Sequence, residues 1–124
     1  WDAVLYDKPD LKYAVSKKRY EVEVGGVVVS NNMFSTDRES QTKYVAVALD
    51  IIRSNSASWS IDWKTSNGTF VTLDATQMNI VIDTVRNHVQ SCFNKEKEYL
   101  DLIDVSNTSV LESTDFSAGW PSNS

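Results

Sequence analysis

The residues best suited to chemistry are His88 and Cys92, the single histidine and single cysteine of a 124-residue chain. They stand four apart, so a helix would stack them one turn apart on one face. A thiol beside an imidazole is the raw material of a cysteine nucleophile or of two metal ligands. The surrounding residues argue for a bland role. Cys92 falls in step with Val85, Val89 and Phe93, where a buried thiol behaves as a small hydrophobe. A metal site needs further ligands, and there is no other Cys or His to supply them.

Seventeen Asp and Glu could furnish an acid–base pair, but Asp62, Asp74 and Asp83 show no second carboxylate at a useful spacing. The four glycines are scattered at Gly25, Gly26, Gly68 and Gly119, so no phosphate-cradling loop is present, and no nucleophile elbow occurs. The sequence therefore reads as a non-enzyme that needs no metal and no cofactor. Its one basic run, Lys17-Lys18-Arg19, is short and reads as a solvated helix face. With a net charge of −5, the chain repels a phosphate backbone, and no nucleic-acid partner is expected. No apolar run reaches membrane-spanning length, so no membrane partner is expected either. One cysteine allows no intrachain disulfide.

A chain of this size with 41% apolar residues and 13 aromatics builds one core. The pattern predicts an α+β fold: a short helix, a β-hairpin, an amphipathic helix, a Trp-rich β-hairpin, a long C-terminal helix and an extended tail. Pro9 and Asp10 open a helix to Tyr20. Glu21-Val22-Glu23-Val24 alternates and predicts a strand. Val27–Val29 pairs with Met33–Ser35 across an Asn31-Asn32 turn. Thr36 and Glu39 match a capping box for a helix from Asp37 to Arg53, its core stripe being Tyr44, Val45, Ala48, Ile51 and Ile52.

Trp59, Ile61 and Trp63 share one face of the next hairpin, and this face reads as core rather than as an exposed ligand platform. The hairpin turns at Asn67-Gly68 and returns over Thr69–Leu73, with Phe70 and Val71 packing. Asp74 and Gln77 form a second capping box, with Leu73 and Met78 as a staple. The helix from Ala75 to Ile103 is long enough for one end to project past its core, near Lys95-Glu96-Lys97-Glu98. The domain reading is a lead-in and attachment segment over 1–16, a single α+β domain over 17–104 and an extended tail over 105–124. Large aromatics in otherwise loose termini suggest anchors, which makes Trp1, Tyr6, Phe116 and Trp120 candidate interface residues. Opening on Trp1 instead of Met, the chain reads as processed or as a segment of something longer.

Three stretches carry a family resemblance. They are Phe34-Ser35-Thr36-Asp37-Arg38-Glu39-Ser40-Gln41; Trp63 with Asn67-Gly68-Thr69-Phe70-Val71-Thr72-Leu73-Asp74-Ala75; and Val85–Phe93 in the pattern Val-x-x-His-Val-Gln-x-Cys-Phe. Gly119-Trp120-Pro121 adds to them. Together they resemble an uncharacterised domain family of bacteriophage tail-fibre and tail-assembly proteins. The resemblance implies a virion structural protein of the tail, made in the host bacterial cytoplasm, serving as a fibre-attachment, collar or connector component. Its expected partners are other phage tail proteins and further copies of itself, as a trimer or a ring. A tail-fibre assembly chaperone and a receptor-binding module are the alternatives. The resemblance brings no catalytic residue with it.

Overall fold

The computed structural model describes residues 7–124, and the candidate interface residues Trp1 and Tyr6 lie outside them. The fold is α+β, in the order α1 (Lys8–Glu23), β1 (Val27–Val29), β2 (Asn32–Phe34), α2 (Arg38–Ser54), β3 (Ser60–Lys64), β4 (Phe70–Asp74), α3 (Ala75–Val105) and α4 (Thr108–Ser113). The strands form two separate antiparallel hairpins, β1–β2 and β3–β4.

Helix α1 overrides the strand expected at Glu21–Val24. Val22 continues the buried stripe of Leu11 and Val15 at helical spacing, and Arg19 pairs with Glu23 one turn on. Local alternation loses to burial of the helical stripe and to this one-turn ion pair. Gly26 then turns the chain at φ +90°; a Cβ there would lie 2.7 Å from the Met33 sulfur. The first hairpin turns through Ser30 and Asn31, both at positive φ. Val27 pairs with Phe34 and Val28 with Met33, so the return strand begins one residue earlier than the pattern predicted.

Helix α2 is capped at Asp37 with no side-chain cap bond, so the predicted Thr36–Glu39 capping box does not form. Thr36 is buried and bonds elsewhere. The predicted stripe also divides. Tyr44 is buried, and Val47 and Ile51 pack beside it, whereas Val45 and Ile52 are 71% and 74% exposed.

The second hairpin pairs Ile61 with Leu73 and Trp63 with Val71. Trp59, Ile61, Trp63, Val71 and Leu73 all lie against the core, and Tyr44 stacks on Trp63 with ring centroids 5.1 Å apart. Phe70, expected to pack, faces solvent because strand alternation gives the inward side to Val71. Asp74 and Gln77 form the predicted capping box over α3, an arrangement worth about 1 kcal/mol.

Helix α3, about 46 Å long at 1.5 Å per residue, is the spine and does not project. Its first half packs Met78, Val81 and Val85 against α2 and the hairpins. Its second half is covered by α1, running antiparallel, and by the tail. There Leu11 and Val15 join Tyr99, Ile103, Leu111 and Phe116 in a second cluster. Lys12 pairs with Asp104 at one end of the α1–α3 contact, and His88 meets Val22 at the other. The tail is not wholly extended. Asn107 caps α4 through the Val110 amide, and Leu111 is buried while Val110 is exposed.

Candidate functional site

Two features stand out: a buried polar knot in the middle of the fold and an uncovered apolar groove beside α2. The knot forms where the end of α1, the start of β1, the start of α2, the middle of α3 and the C-terminal tail meet. Its centre is Glu23, which has no exposed surface. Arg19 Nη1 lies 2.7 Å from Oε1, and Arg38 Nη2 donates to the same oxygen at 3.0 Å. Arg38 Nε lies 2.7 Å from Oε2, and Gln41 Nε2 donates to that oxygen at 2.9 Å. Burial pushes the carboxyl up, and the hydrogen bonds from Gln41, Arg38 and Arg19, with the Arg38 charge, outweigh it, so Glu23 sits below the usual carboxylate range.

Arg19 also reaches Glu96 at 3.4 Å and lies over the Phe93 ring at 4.6 Å. It is therefore a knot residue, not the solvated charge expected from the Lys17-Lys18-Arg19 run. Two of its contacts, Glu23 and Glu96, are carboxylates held apart by a guanidinium rather than a pair sharing a proton.

The remaining members satisfy backbone. Thr36 Oγ1 donates to the Glu23 carbonyl at 2.6 Å and accepts from the Gly26 amide at 2.8 Å. Asn123 Nδ2 donates to the carbonyls of Val22 and Gly26 at 2.9 and 2.8 Å. His88 is 7% exposed, and its Nε2 lies 2.8 Å from the Val22 carbonyl. A carbonyl can only accept, so Nε2 carries the proton and is committed.

Cys92 Sγ lies 3.8 Å from that same nitrogen, so the sequence pair does meet. It meets without a free base and without solvent, since Cys92 has no exposed surface. Burial pushes its thiol up to about 11, the Glu23 charge adding to this and Arg19 opposing it. The sulfur is a core atom. A thiol-specific disulfide reagent at pH 8 is expected to leave Cys92 unmodified in the folded chain and to titrate one thiol after denaturation. Rapid native labelling at the denatured rate would contradict this.

Every buried side-chain nitrogen and oxygen among the described residues has a hydrogen-bond partner. No group of three His, Cys, Asp or Glu among them is disposed to hold a metal ion. No helix among them is long and apolar enough to cross a membrane. The knot has no unpaired group aimed at an open space; what it can do is clamp four segments to α3.

The groove is different. It runs between α2 and α3, holds about 370 Å³, and is lined by Val45 and Ala48 on one wall and Ile82 and Val89 on the other, with Tyr44 and Val85 beneath. Further along α2, Leu49 and Ile52 are 54% and 74% exposed. Arg86 is its one charged lining residue, beside two amides, Gln41 and Gln90.

The predicted interface residues of the tail are used within the chain. Phe116 is buried against Tyr99, edge-on at 5.1 Å. Trp120 packs on the other side of Tyr99 at 5.7 Å and donates from Nε1 to the Phe116 carbonyl. The sequence reading missed Glu23, Arg38, Gln41 and Asn123. Only the one-turn spacings, Arg19–Glu23 and His88–Cys92, are local; the other knot pairings named above span 10 to 101 residues.

No curated protein and no solved structure matches the chain. One family model does, over residues 7–118, from the cap of α1 to the tail turn beside Tyr99, and the chain accordingly belongs to the family described as a domain of unknown function, DUF4376.

Proposed function

We propose that this chain is a non-catalytic structural domain of a bacteriophage tail, a fibre-attachment, collar or connector component that works by contacts with other tail proteins. The observation that carries the contact-making part is the contrast between its two features. The polar groups that could do chemistry are consumed in the closed knot around Glu23, while Val45 lines the α2 groove and Leu49 and Ile52 of the same helix, like it, leave most of their surface uncovered. Contiguous exposed apolar surface of this kind marks interaction sites. The tail setting rests on the resemblance of residues 34–41, 63–75 and 85–93.

A receptor-binding module built on Trp59 and Trp63 is less well supported. Trp63 stacks on Tyr44, and Trp59 donates to Asp50 at 2.9 Å, so both rings are engaged within the fold. The test is mass spectrometry of purified phage particles encoding the chain. A fixed copy number in the particle is expected. Presence in the infected-cell lysate but absence from the particle would overturn the virion role in favour of an assembly chaperone.

A further inference from the structure

We infer that the α2–α3 groove receives the Trp1–Tyr6 segment of a second copy of this chain. This rests on the contact-making part of the reading above and not on the tail setting.

Three observations lead to it. The first is chemistry. The segment reads Trp-Asp-Ala-Val-Leu-Tyr and runs into Asp7, so it offers Trp1, Val4, Leu5 and Tyr6 with two carboxylates and no cation. The groove offers an apolar floor and walls with Arg86 and no acidic residue in its lining. Arg86 is loosely engaged by its neighbour Asp83, at 3.7 Å with both side chains largely exposed. In a chain of net charge −5, an acid-free apolar trough is the face on which an acidic, apolar peptide meets attraction instead of repulsion.

The second is reach. Asp7 caps α1 at the end of α3 where Lys8 donates to the Asp104 carbonyl. The middle of the groove, Val85 to Val89, lies 15 to 19 residues back along α3, about 22–29 Å at 1.5 Å per residue. Six residues span at most about 20–22 Å fully extended. Whatever precedes Trp1, this length is fixed from Asp7. The segment can approach the near mouth of its own groove but cannot lie along the floor, whereas a neighbouring copy carries no such tether limit.

The third is size. The groove's 370 Å³ suits two or three inserted side chains and not a whole helix. Exchange between copies buries two such segments if the pair is reciprocal, which moves the contact toward the area of stable interfaces. One-way exchange gives a ring where the rotation between copies closes and an open filament where it does not.

The experiment uses the full chain and compares it with three variants: Trp1→Ser with Leu5→Ser, Val45→Asp, and Arg86→Glu. Masses are measured by light scattering from about 10 µM to 1 mM, and circular dichroism confirms the fold. The unmodified chain is expected to show a mass of at least twice 14.0 kDa at the upper concentrations. The Trp1/Leu5 and Val45 variants should stay monomeric. Arg86→Glu should shift the midpoint of association at least tenfold upward. A labelled synthetic peptide, Trp1 to Asp7, should bind the Trp1/Leu5 variant and lose at least tenfold in affinity when Val45→Asp is added. A chain monomeric throughout, a Trp1/Leu5 variant that still associates, or a peptide indifferent to Val45→Asp overturns the inference. None of these results bears on whether the chain is found in particles, so the two readings fail separately.

Discussion

Replacing Glu23 with glutamine is expected to lower the stability of the domain by about 3 kcal/mol, the scale for removing one partner of a buried ion pair. Glutamine keeps the volume but presents an NH₂ group where Arg19, Arg38 and Gln41 already donate. Two donors would then face each other, and two guanidinium groups lose their carboxylate. The pH dependence gives a second readout. The Glu23 carboxyl is depressed in the folded chain, so its stabilisation is complete above the unfolded value of about 4.3. It is lost as the pH falls through the lower folded value. Urea midpoints of the parent and Glu23→Gln should therefore differ most at pH 6–7 and begin to converge below about pH 4. Curves that remain parallel down to pH 3 would show that the carboxylate contributes nothing specific.

Phe116→Ala should cost a similar amount, about 3 kcal/mol, or about 10 °C in midpoint for a chain of this size. Phe116 is 7% exposed and fills the cluster of Leu11, Val15, Tyr99, Ile103 and Leu111. Truncation removes the edge of the Tyr99 ring stack and loosens the segment whose Ala118 carbonyl accepts from the Tyr99 hydroxyl at 2.6 Å. Thermal unfolding decides between two roles for this aromatic. A residue that anchors the tail to its own domain moves the midpoint. A residue held out for a neighbour leaves it in place and weakens association instead.

Much of the fold was legible because it is written in short-range terms. Asp74 and Gln77 cap α3 as their spacing predicts, and Trp59, Ile61 and Trp63 alternate toward the core. The failures share one cause. Glu21–Val24 alternates like a strand, yet Arg19 and His88 hold it as helix from outside the window. Thr36 looks like a capping residue, yet the Glu23 carbonyl and Gly26 amide claim its hydroxyl. Periodicity placed Val45 and Ile52 on the same stripe as Tyr44, and only the position of α3 shows that Val45 lines an open groove and Ile52 faces solvent. His88 and Cys92 do meet as their spacing suggests. What spacing could not say is that the imidazole proton is already given to Val22.

The clasp made by Asn123 has a consequence for how the domain is made. It joins carbonyls 101 and 97 residues upstream, so closing it carries the loop entropy of nearly the whole chain. On a ribosome, α1, the first hairpin and α2 are out long before their last partner is. The Gly26 carbonyl depends on water, or on a chaperone, until Asn123 emerges, while the Val22 carbonyl has His88 as soon as α3 is in place. Synthesis that stalls within α3 leaves the seam between α1 and β1 unfastened, at a point where the nascent chain is most open to wrong partners.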